Sequence, residues 1–168
     1  AETLVLVPPL LIGQWKQEAQ CRAPGVACCE WAAYRAAGAR GVPGAASGRP
    51  SMVLASYDDA AEVAAQRLSW WRVVCDEPHT TLTARPMSGR IHVSPQVAAC
   101  AAIDAGRRWC LTGTPFTESL FEVFGQLAFL RLIGGDDTGR AGVPSVLPAL
   151  HFRNELDGGG RYKAPAHH

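Results

Sequence analysis

Short apolar runs recur along the first two thirds of the chain and are separated by stretches of mixed polarity. Runs without polar alternation are typical of strands that are covered on both faces of a parallel sheet. A shorter run of the same kind indicates one further, brief strand at residues 26–31. Together the pattern predicts strands over residues 3–7, 26–31, 52–55, 72–76 and 108–112.

Between these runs, apolar residues recur at intervals of three or four, which is the period of an amphipathic helix. Asp58 is predicted to cap the second helix, and Ser94 followed by Pro95 predicts the start of the third. The predicted helices cover residues 10–23, 58–68, 94–102 and a stretch from Thr117 or Ser119 to 133. Alternating strands and helices predict an α/β fold with a mostly parallel sheet and helices on both faces.

Three segments fall outside this alternation. Residues 32–50 consist mainly of Ala, Gly, Arg, Pro and Ser, which predicts a flexible surface loop with at most one helical turn at its start. Residues 134–168 predict an irregular tail, and residues 80–93 form a polar connection whose structure the pattern does not decide. We therefore expect one domain over residues 1–133. Because the chain enters a strand at its first residues, we also expect the sequence to be a segment of a larger fold.

Composition narrows the class of protein. With 168 residues, of which 48% are hydrophobic and 18% charged, the chain is large and apolar enough for a folded core. A formal net charge of +1 gives no global field that favours or opposes nucleic acid. The six cysteines include no C-x-x-C pair, so we predict no zinc site and a reduced, intracellular protein. No apolar run reaches about 18 residues, so no membrane span is predicted.

The densest chemistry lies between residues 70 and 80, where the sequence reads WWRVVCDEPHT. An apolar strand ends there in two carboxylates, Asp76 and Glu77, with His79 two residues further on. Open α/β sheets bind ligands outside the carboxyl ends of their strands, so these acids are predicted to lie at a site. Mg²⁺ needs one or two carboxylates beside phosphate and water, and the second acid could position an attacking water. Taken alone, the pair could equally be a structural feature of a strand end.

A second stretch, RRWCLTGTP at residues 107–115, repeats the plan of an apolar strand that ends in small and hydroxylic residues. By itself it is also an ordinary strand-to-helix turn, in which Gly and Pro are common. Downstream of the acid pair, however, Thr112 and Thr114, on either side of Gly113, predict two hydroxyl groups beside a phosphate site. The two stretches together therefore predict a nucleotide-hydrolysing lobe.

Five stretches, in this order, resemble motifs of the first motor lobe of Swi/Snf-family ATPases, within the superfamily 2 helicase-like group. Residues 3–15 (TLVLVPPLLIGQW) resemble motif Ia, and residues 51–58 (SMVLASYD) resemble the strand that follows it. Residues 70–79 resemble motif II, residues 107–115 resemble motif III, and residues 121–132 resemble the next helix. The most similar subgroup contains helicase-like transcription factor and its postreplication-repair relatives.

The resemblance implies a RecA-like lobe of the P-loop NTPase class that uses ATP and Mg²⁺ to move on double-stranded DNA. It implies that Asp76 holds the Mg²⁺ through water and that Glu77 positions or activates the attacking water. The residues implied to couple hydrolysis to movement are His79, Thr112, Gly113 and Thr114. Those implied to lie towards the DNA backbone are Pro8, Pro9, Gln14, Ser56 and Tyr57. The other implied partner is a second motor lobe of the same protein, and the implied location is the nucleus.

The sequence departs from the family pattern in two ways. It contains no G-x-x-x-x-G-K-[ST] motif, so the first strand and the phosphate-cradling Walker A loop are missing from the predicted lobe, as is the second lobe. We therefore expect the chain alone to bind ATP weakly and not to turn it over. Pro78 stands where the family usually has Ala or Gly, and proline is expected to bias Glu77 towards extended backbone.

The leading interpretation is part of an ATP-dependent double-stranded DNA translocase that acts in chromatin remodelling or DNA repair. Two alternatives stay open: a DEAH-type RNA helicase, and a truncated pseudo-ATPase that serves as a binding module. Four tryptophans could form a base-stacking platform, but each adjoins an apolar strand or stripe, so core packing is the prediction for most of them. They are Trp15, Trp70, Trp71 and Trp109.

Overall fold

The computed structural model describes residues 2–39, 41–42, 49–87, 90–115 and 121–133. The strands are β1 (Glu2–Val7), β2 (Ala27–Glu30), β3 (Ser51–Ser56), β4 (Ser69–Trp70), β5 (Arg72–Asp76), β6 (Ala84–Met87), β7 (Arg90–Val93), β8 (Asp104–Ala105) and β9 (Arg108–Leu111). The α-helices are α1 (Ile12–Arg22), α2 (Trp31–Ala36), α3 (Ala60–Ala65), α4 (Pro95–Ala102) and α5 (Phe121–Phe129). Short 3-10 helices follow three strands, at Pro9–Leu11, Tyr57–Asp59 and Pro78–Thr80.

Five strands form one parallel sheet in the order β2-β3-β1-β5-β9. The register aligns Leu6 of β1 with Cys75 of β5, and Cys75 in turn with Cys110 of β9. One residue further along, Asp76 of β5 pairs with Leu111 of β9, the last residue of that strand. The carboxyl ends of these strands therefore meet at one edge, which confirms the predicted parallel α/β architecture.

The two faces of the sheet are covered unequally. Along β1, Leu4 and Leu6 join the larger core, which α2, α3, α4 and α5 cover. The alternate residues Val5 and Val7 face the opposite way and pack with Leu54, Val74 and residues of α1. This division follows from the strand period of two, which sends successive side chains to opposite faces. Helices therefore lie on both faces, as predicted.

The connection at residues 80–93, which the pattern left undecided, contains an antiparallel hairpin of β6 and β7. The hairpin packs against α5, and the turn before it makes further contacts with the same helix. Gly125 of α5 lies so close to the main chain that a Cβ there would overlap the carbonyl oxygen of Leu82. The short strands β4 and β8 form a separate parallel pair.

The predicted cap of the second helix is wrong. Ser56, not Asp58, caps this segment: its hydroxyl accepts a hydrogen bond from the Asp59 main-chain N–H, while the Asp59 carboxylate accepts one from the Ser56 N–H. This reciprocal arrangement satisfies two donors at once, and Asp58 lies inside the 3-10 turn that Ser56 caps. The helix also ends at Ala65, three residues short of prediction.

Several predictions fall partly or wholly outside the described residues. The predicted loop at 32–50 begins with the helical turn α2, but residues 40 and 43–48 are outside. The proposed caps Thr117 and Ser119 and the tail 134–168 also lie outside, so the division at residue 133 stays a prediction. The last helix, α5, ends at Phe129, before the predicted 133, and Arg131 adopts a positive φ of 58° beyond it.

None of the described helices has the length and apolar character needed to cross a membrane.

Candidate active site

Two adjacent carboxylates mark the carboxyl edge of the sheet. Asp76 is the last residue of β5, and Glu77 follows it at the start of a 3-10 turn. Thr112 comes directly after β9, the neighbouring strand, whose Leu111 pairs with Asp76. The structure thus brings together the acids and the hydroxyl that the two sequence stretches predicted to be neighbours, and it does so through strand pairing alone.

Asp76 is held from the β1 and β3 side of the edge. The indole Nε1 of Trp15, on α1, donates a hydrogen bond of 2.7 Å to Asp76 Oδ2. The hydroxyl of Tyr57, directly after β3, donates a second bond of 2.7 Å to the main-chain carbonyl oxygen of Asp76. One bond fixes the side chain and the other fixes the backbone, so both the position and the rotation of the carboxylate are constrained.

Glu77 adopts a left-handed backbone, with φ 46° and ψ 47°. The expected bias towards extended geometry before Pro78 is therefore wrong. The chain must reverse at once into the turn Pro78–Thr80, and the Glu77 N–H is anchored at 2.8 Å to the Leu111 carbonyl. A non-glycine residue in this region costs about 1–2 kcal/mol, which the surrounding contacts must offset.

The Glu77 carboxylate is tied to the β9 side of the edge. Thr112 Oγ1 donates to Glu77 Oε2 at 3.2 Å, and His79 Nδ1 lies 3.1 Å from the same oxygen. His79 Nδ1 is also 2.7 Å from Thr112 Oγ1, and Thr114 Oγ1 is 3.3 Å from His79 Nε2. The acid, the imidazole and both threonines therefore form one connected network between two loops.

One assignment of protons satisfies every member of this network. With the imidazole proton on Nδ1, His79 donates towards Thr112 Oγ1, and Nε2 is free to accept from the Thr114 hydroxyl. The Thr112 hydroxyl proton then points to Glu77, while the Thr114 main-chain N–H donates to Thr112 Oγ1 at 3.1 Å. The Glu77 side chain is 39% exposed and that of His79 only 14%, so solvent reaches the acid more readily than the imidazole.

The titratable side chains of Tyr57, Cys75 and Cys110, on the strands and turns behind the two acids, are uncharged. Burial raises the pKa of Tyr57, so its hydroxyl remains a hydrogen-bond donor to Asp76. Burial likewise raises the pKa of Cys75, next to Asp76, and raises the pKa of Cys110 to about 12. These groups stay neutral near pH 7, and the carboxylates stand at the edge of an apolar layer.

The carboxylate of Asp76 suits a hydrated Mg²⁺ better than a metal held by protein alone. Among the described residues, no group of three or more His, Cys, Asp and Glu side chains could enclose an ion. Asp76 Oδ2 is engaged by Trp15, and within the same residues no hydrogen bond to Oδ1 is found. One available carboxylate oxygen fits an ion whose remaining ligands are water and phosphate.

The residues predicted to face DNA lie in two environments. Pro8 is half-buried, whereas Pro9 and Gln14 are exposed on the turn after β1 and the first turn of α1. Ser56 and Tyr57, at 7% and 4% exposure, are buried and direct their side chains to Asp59 and Asp76. A role of these residues in binding nucleic acid stays a prediction. Because the Tyr57 side chain is bonded to Asp76, Tyr57 would have to contact nucleic acid through its main chain.

The tryptophans divide in the same way. Trp70 is 2% exposed, which confirms core packing there, and Trp15 is half-buried. Trp71 and Trp109 are 43% and 48% exposed, so the prediction of core packing is wrong for these two. They pack against arginine: the Arg72 guanidinium lies 4.3 Å from the Trp109 ring centre, and the Arg107 guanidinium lies 4.5 Å from the Trp71 ring centre. The bond from Trp15 to Asp76 was missed from the sequence, because it depends on the rotation of α1 relative to β5.

Comparisons with known proteins identify the family of the chain. The SNF2-related domain matches residues 1–133. The DNA repair proteins RAD5A of Arabidopsis thaliana and RAD5 of Mycosarcoma maydis are each 30% identical, over 139 and 150 residues, and each match covers 77% of the chain. The chain spans only 12% and 10% of those relatives, about a tenth of their length.

A solved structure, the Sulfolobus solfataricus SWI2/SNF2 ATPase core in complex with dsDNA, has a similar fold. The TM-score is 0.60 at 17% identity, and the match covers 82% of this chain and 27% of that one. At this identity the similarity supports the RecA-like fold, while the domain match supports the family. The chain belongs to the SNF2-related domain family of Swi/Snf helicase-like ATPases.

Proposed function

We propose that the chain forms part of an ATP-dependent double-stranded DNA translocase that acts in the nucleus, in DNA repair or chromatin remodelling. The observation that carries the proposal is the network at the sheet edge, in which Glu77 is bonded to Thr112 and lies 3.1 Å from His79. Because Glu77 is bonded to the loop after β9, a change in the protonation of this base can alter the position of that loop. Such a contact is what coupling of hydrolysis to movement requires.

In this proposal the two acids have separate roles. Asp76, fixed by Trp15 and Tyr57, would hold Mg²⁺ through a bound water and so orient a nucleotide. The metal would supply charge neutralisation at the phosphates. Glu77, which is partly exposed, would position the attacking water and accept its proton. His79, Thr112 and Thr114 would sense the change at Glu77, and Gly113 would take part as the residue between the two threonines.

The DNA side of the proposal rests on the family and on exposure. The Sulfolobus neighbour is a complex with dsDNA, and the relatives are named as DNA repair proteins. Pro9 and Gln14 lie on the exposed surface next to the carboxyl edge of β1. Contacts from such a turn would reach the phosphate backbone and carry no sequence information. Hydrolysis would also need a phosphate-cradling loop and a second lobe.

The test uses the full-length gene product and compares ATP turnover with duplex DNA, single-stranded RNA or no nucleic acid. We expect duplex DNA to stimulate turnover and Glu77→Gln to lower it by about 10²–10⁴-fold, the usual contribution of a general base. The matched control is Glu18→Gln, an exposed acid that pairs with Arg22 on α1.

Stimulation by RNA instead would favour the RNA-helicase alternative. Duplex binding without any turnover in the unaltered protein would favour a binding module. For the 168-residue chain alone, which contains no Walker A motif, we expect no turnover. Turnover by that chain that Glu77→Gln abolishes would contradict this expectation.

A further inference from the structure

Trp15 makes a long-range contact with the acid that is proposed to hold Mg²⁺. It lies on α1, 61 residues from Asp76 in sequence, yet its indole Nε1 is 2.7 Å from Asp76 Oδ2. The bond joins a neutral donor to a carboxylate, which makes it shorter and stronger than a bond between neutral groups. Helix α1, which packs on the face of the sheet that carries Val5 and Val7, thus contacts Asp76 directly.

The other buried tryptophans show that packing does not demand such a bond. Trp31 and Trp70 are 3% and 2% exposed, and their indole N–H groups have no hydrogen-bond partner among the residues that the structure describes. Trp15 is less buried than either, and water could satisfy its donor. Its N–H nevertheless meets the one acid at the end of β5.

The bond to Oδ2 also decides which oxygen remains. A carboxylate that rotates freely presents either oxygen to a ligand, whereas one held at Oδ2 presents Oδ1. Tyr57 adds a second restraint, because its hydroxyl fixes the Asp76 carbonyl at 2.7 Å. Partners that orient a ligating carboxylate in this way tune the affinity of the metal.

We propose that Trp15 is a positioning residue for Asp76, holding Oδ2 so that Oδ1 is preset for the Mg²⁺-bound water. The inference rests on the proposed function for the role of Asp76. The hydrogen bond itself does not, so it can be tested without nucleotide, metal or turnover.

The first experiment measures the exchange of the Trp15 indole proton with solvent by NMR in the 168-residue chain, without metal. We expect Asp76→Ala to speed this exchange by about tenfold or more, as the loss of a charged hydrogen-bond partner should. Asp58→Ala, which removes an exposed acid next to Tyr57 in sequence, is the matched control and should leave the rate unchanged. Equal rates in the unaltered chain and in Asp76→Ala would overturn the inference, with circular dichroism showing that each variant is folded.

The second experiment measures the Mg²⁺ concentration that gives half-maximal turnover in the full-length protein. Trp15→Phe should raise it by about tenfold, because loss of a partner that orients a ligand lowers metal affinity by roughly this factor. Trp31→Phe removes an indole without a hydrogen bond and should leave the concentration unchanged.

The two experiments separate the inference from the proposed function. If the exchange experiment succeeds and Trp15→Phe leaves the Mg²⁺ requirement unchanged, the bond is structural and the positioning role is overturned. If the full-length protein shows no Mg²⁺-dependent turnover at all, the proposed function fails, while the exchange rates still decide whether Trp15 holds Asp76.

Discussion

Asp76 and Glu77 are neighbours in sequence, but opposite halves of the sheet hold them. Asp76 receives its bonds from Trp15 and Tyr57, on the elements that follow β1 and β3. Glu77 is tied to the loop after β9 through Thr112, and to His79 in its own turn. The peptide bond between the two acids is therefore a boundary between two sets of contacts.

The two sets differ in kind. The donors to Asp76 are aromatic side chains that pack on the sheet, and Tyr57 is 4% exposed. Glu77, by contrast, is 39% exposed, and its partners are short hydroxylic side chains and an imidazole on connecting turns. A metal-holding acid gains from a fixed position, whereas an acid that passes on the progress of a reaction must sit against parts that move. The boundary matches the separate roles that we propose for the two acids.

The largest expected effect concerns the support beneath the Glu77 half. Gly125 of α5 approaches the main chain after the Pro78–Thr80 turn, and a Cβ there would overlap the carbonyl oxygen of Leu82. Gly125→Ala should therefore lower the free energy of unfolding by about 3 kcal/mol, at the upper end of overpacking effects. The measurement is denaturant unfolding of the chain.

Gly13→Ala on α1 is the matched control, because nothing lies within 4 Å of its added Cβ. Alanine is the better helix former, so this variant should be more stable by about 0.5–1 kcal/mol. Equal stability of the Gly125→Ala and Gly13→Ala chains would show that α5 does not pack closely against the main chain at Leu82.

The next effect tests whether each half acts as a unit. His79→Ala and Thr112→Val remove two groups 2.7 Å apart, so a double-mutant cycle on stability should give a coupling energy of about 1 kcal/mol or more. Trp15→Phe with Thr112→Val crosses the boundary and should be additive within about 0.5 kcal/mol. Equal coupling in both cycles would remove the boundary between the halves.

A smaller effect is expected from Tyr57→Phe, which deletes only the hydroxyl bonded to the Asp76 carbonyl. The chain should lose about 1 kcal/mol of stability, the usual contribution of one hydrogen bond. Tyr34→Phe is matched to it, because Tyr34 donates a bond of equal length, 2.7 Å, to Glu2 at the other end of the sheet. Only Tyr57→Phe should also change the exchange of the Trp15 indole proton, and the same change in both variants would contradict this assignment.

The parts of the site that could be predicted from sequence are those that strand pairing fixes. Apolar runs end at Asp76 and at Leu111. If the two strands are parallel and in register, Asp76 pairs with Leu111, and the acids then lie beside Thr112. The overall fold was predictable on the same grounds, since a run buried on both faces requires helices on each. His79 was named instead from its place two residues after Glu77, and the coupling roles of His79 and the threonines came from the family resemblance.

What could not be predicted depends on side-chain reach and on single backbone angles. The Trp15 contact requires the phase of α1 relative to β5, which a helical period does not give. Strand β6 includes Pro86. Proline has no main-chain N–H to donate to a neighbouring strand, so its presence in the sequence argued against a strand there. The left-handed backbone of Glu77 ran against the preference that Pro78 imposes, because the reversal into the next turn outweighed it.

The smallest expected effect comes from Pro78→Ala, which tests whether that backbone strain impairs the site. The proline lies at the start of the Pro78–Thr80 turn, where a fixed φ is tolerated and its missing N–H is not needed. Glu77 is anchored independently by its N–H to the Leu111 carbonyl, so its left-handed geometry should survive the change. We therefore expect turnover of the full-length protein to change by less than about threefold, equivalent to less than 1 kcal/mol in the barrier. A large gain would mean that Pro78 holds Glu77 away from its working position, and the Glu77 half would then be the defective side of the boundary.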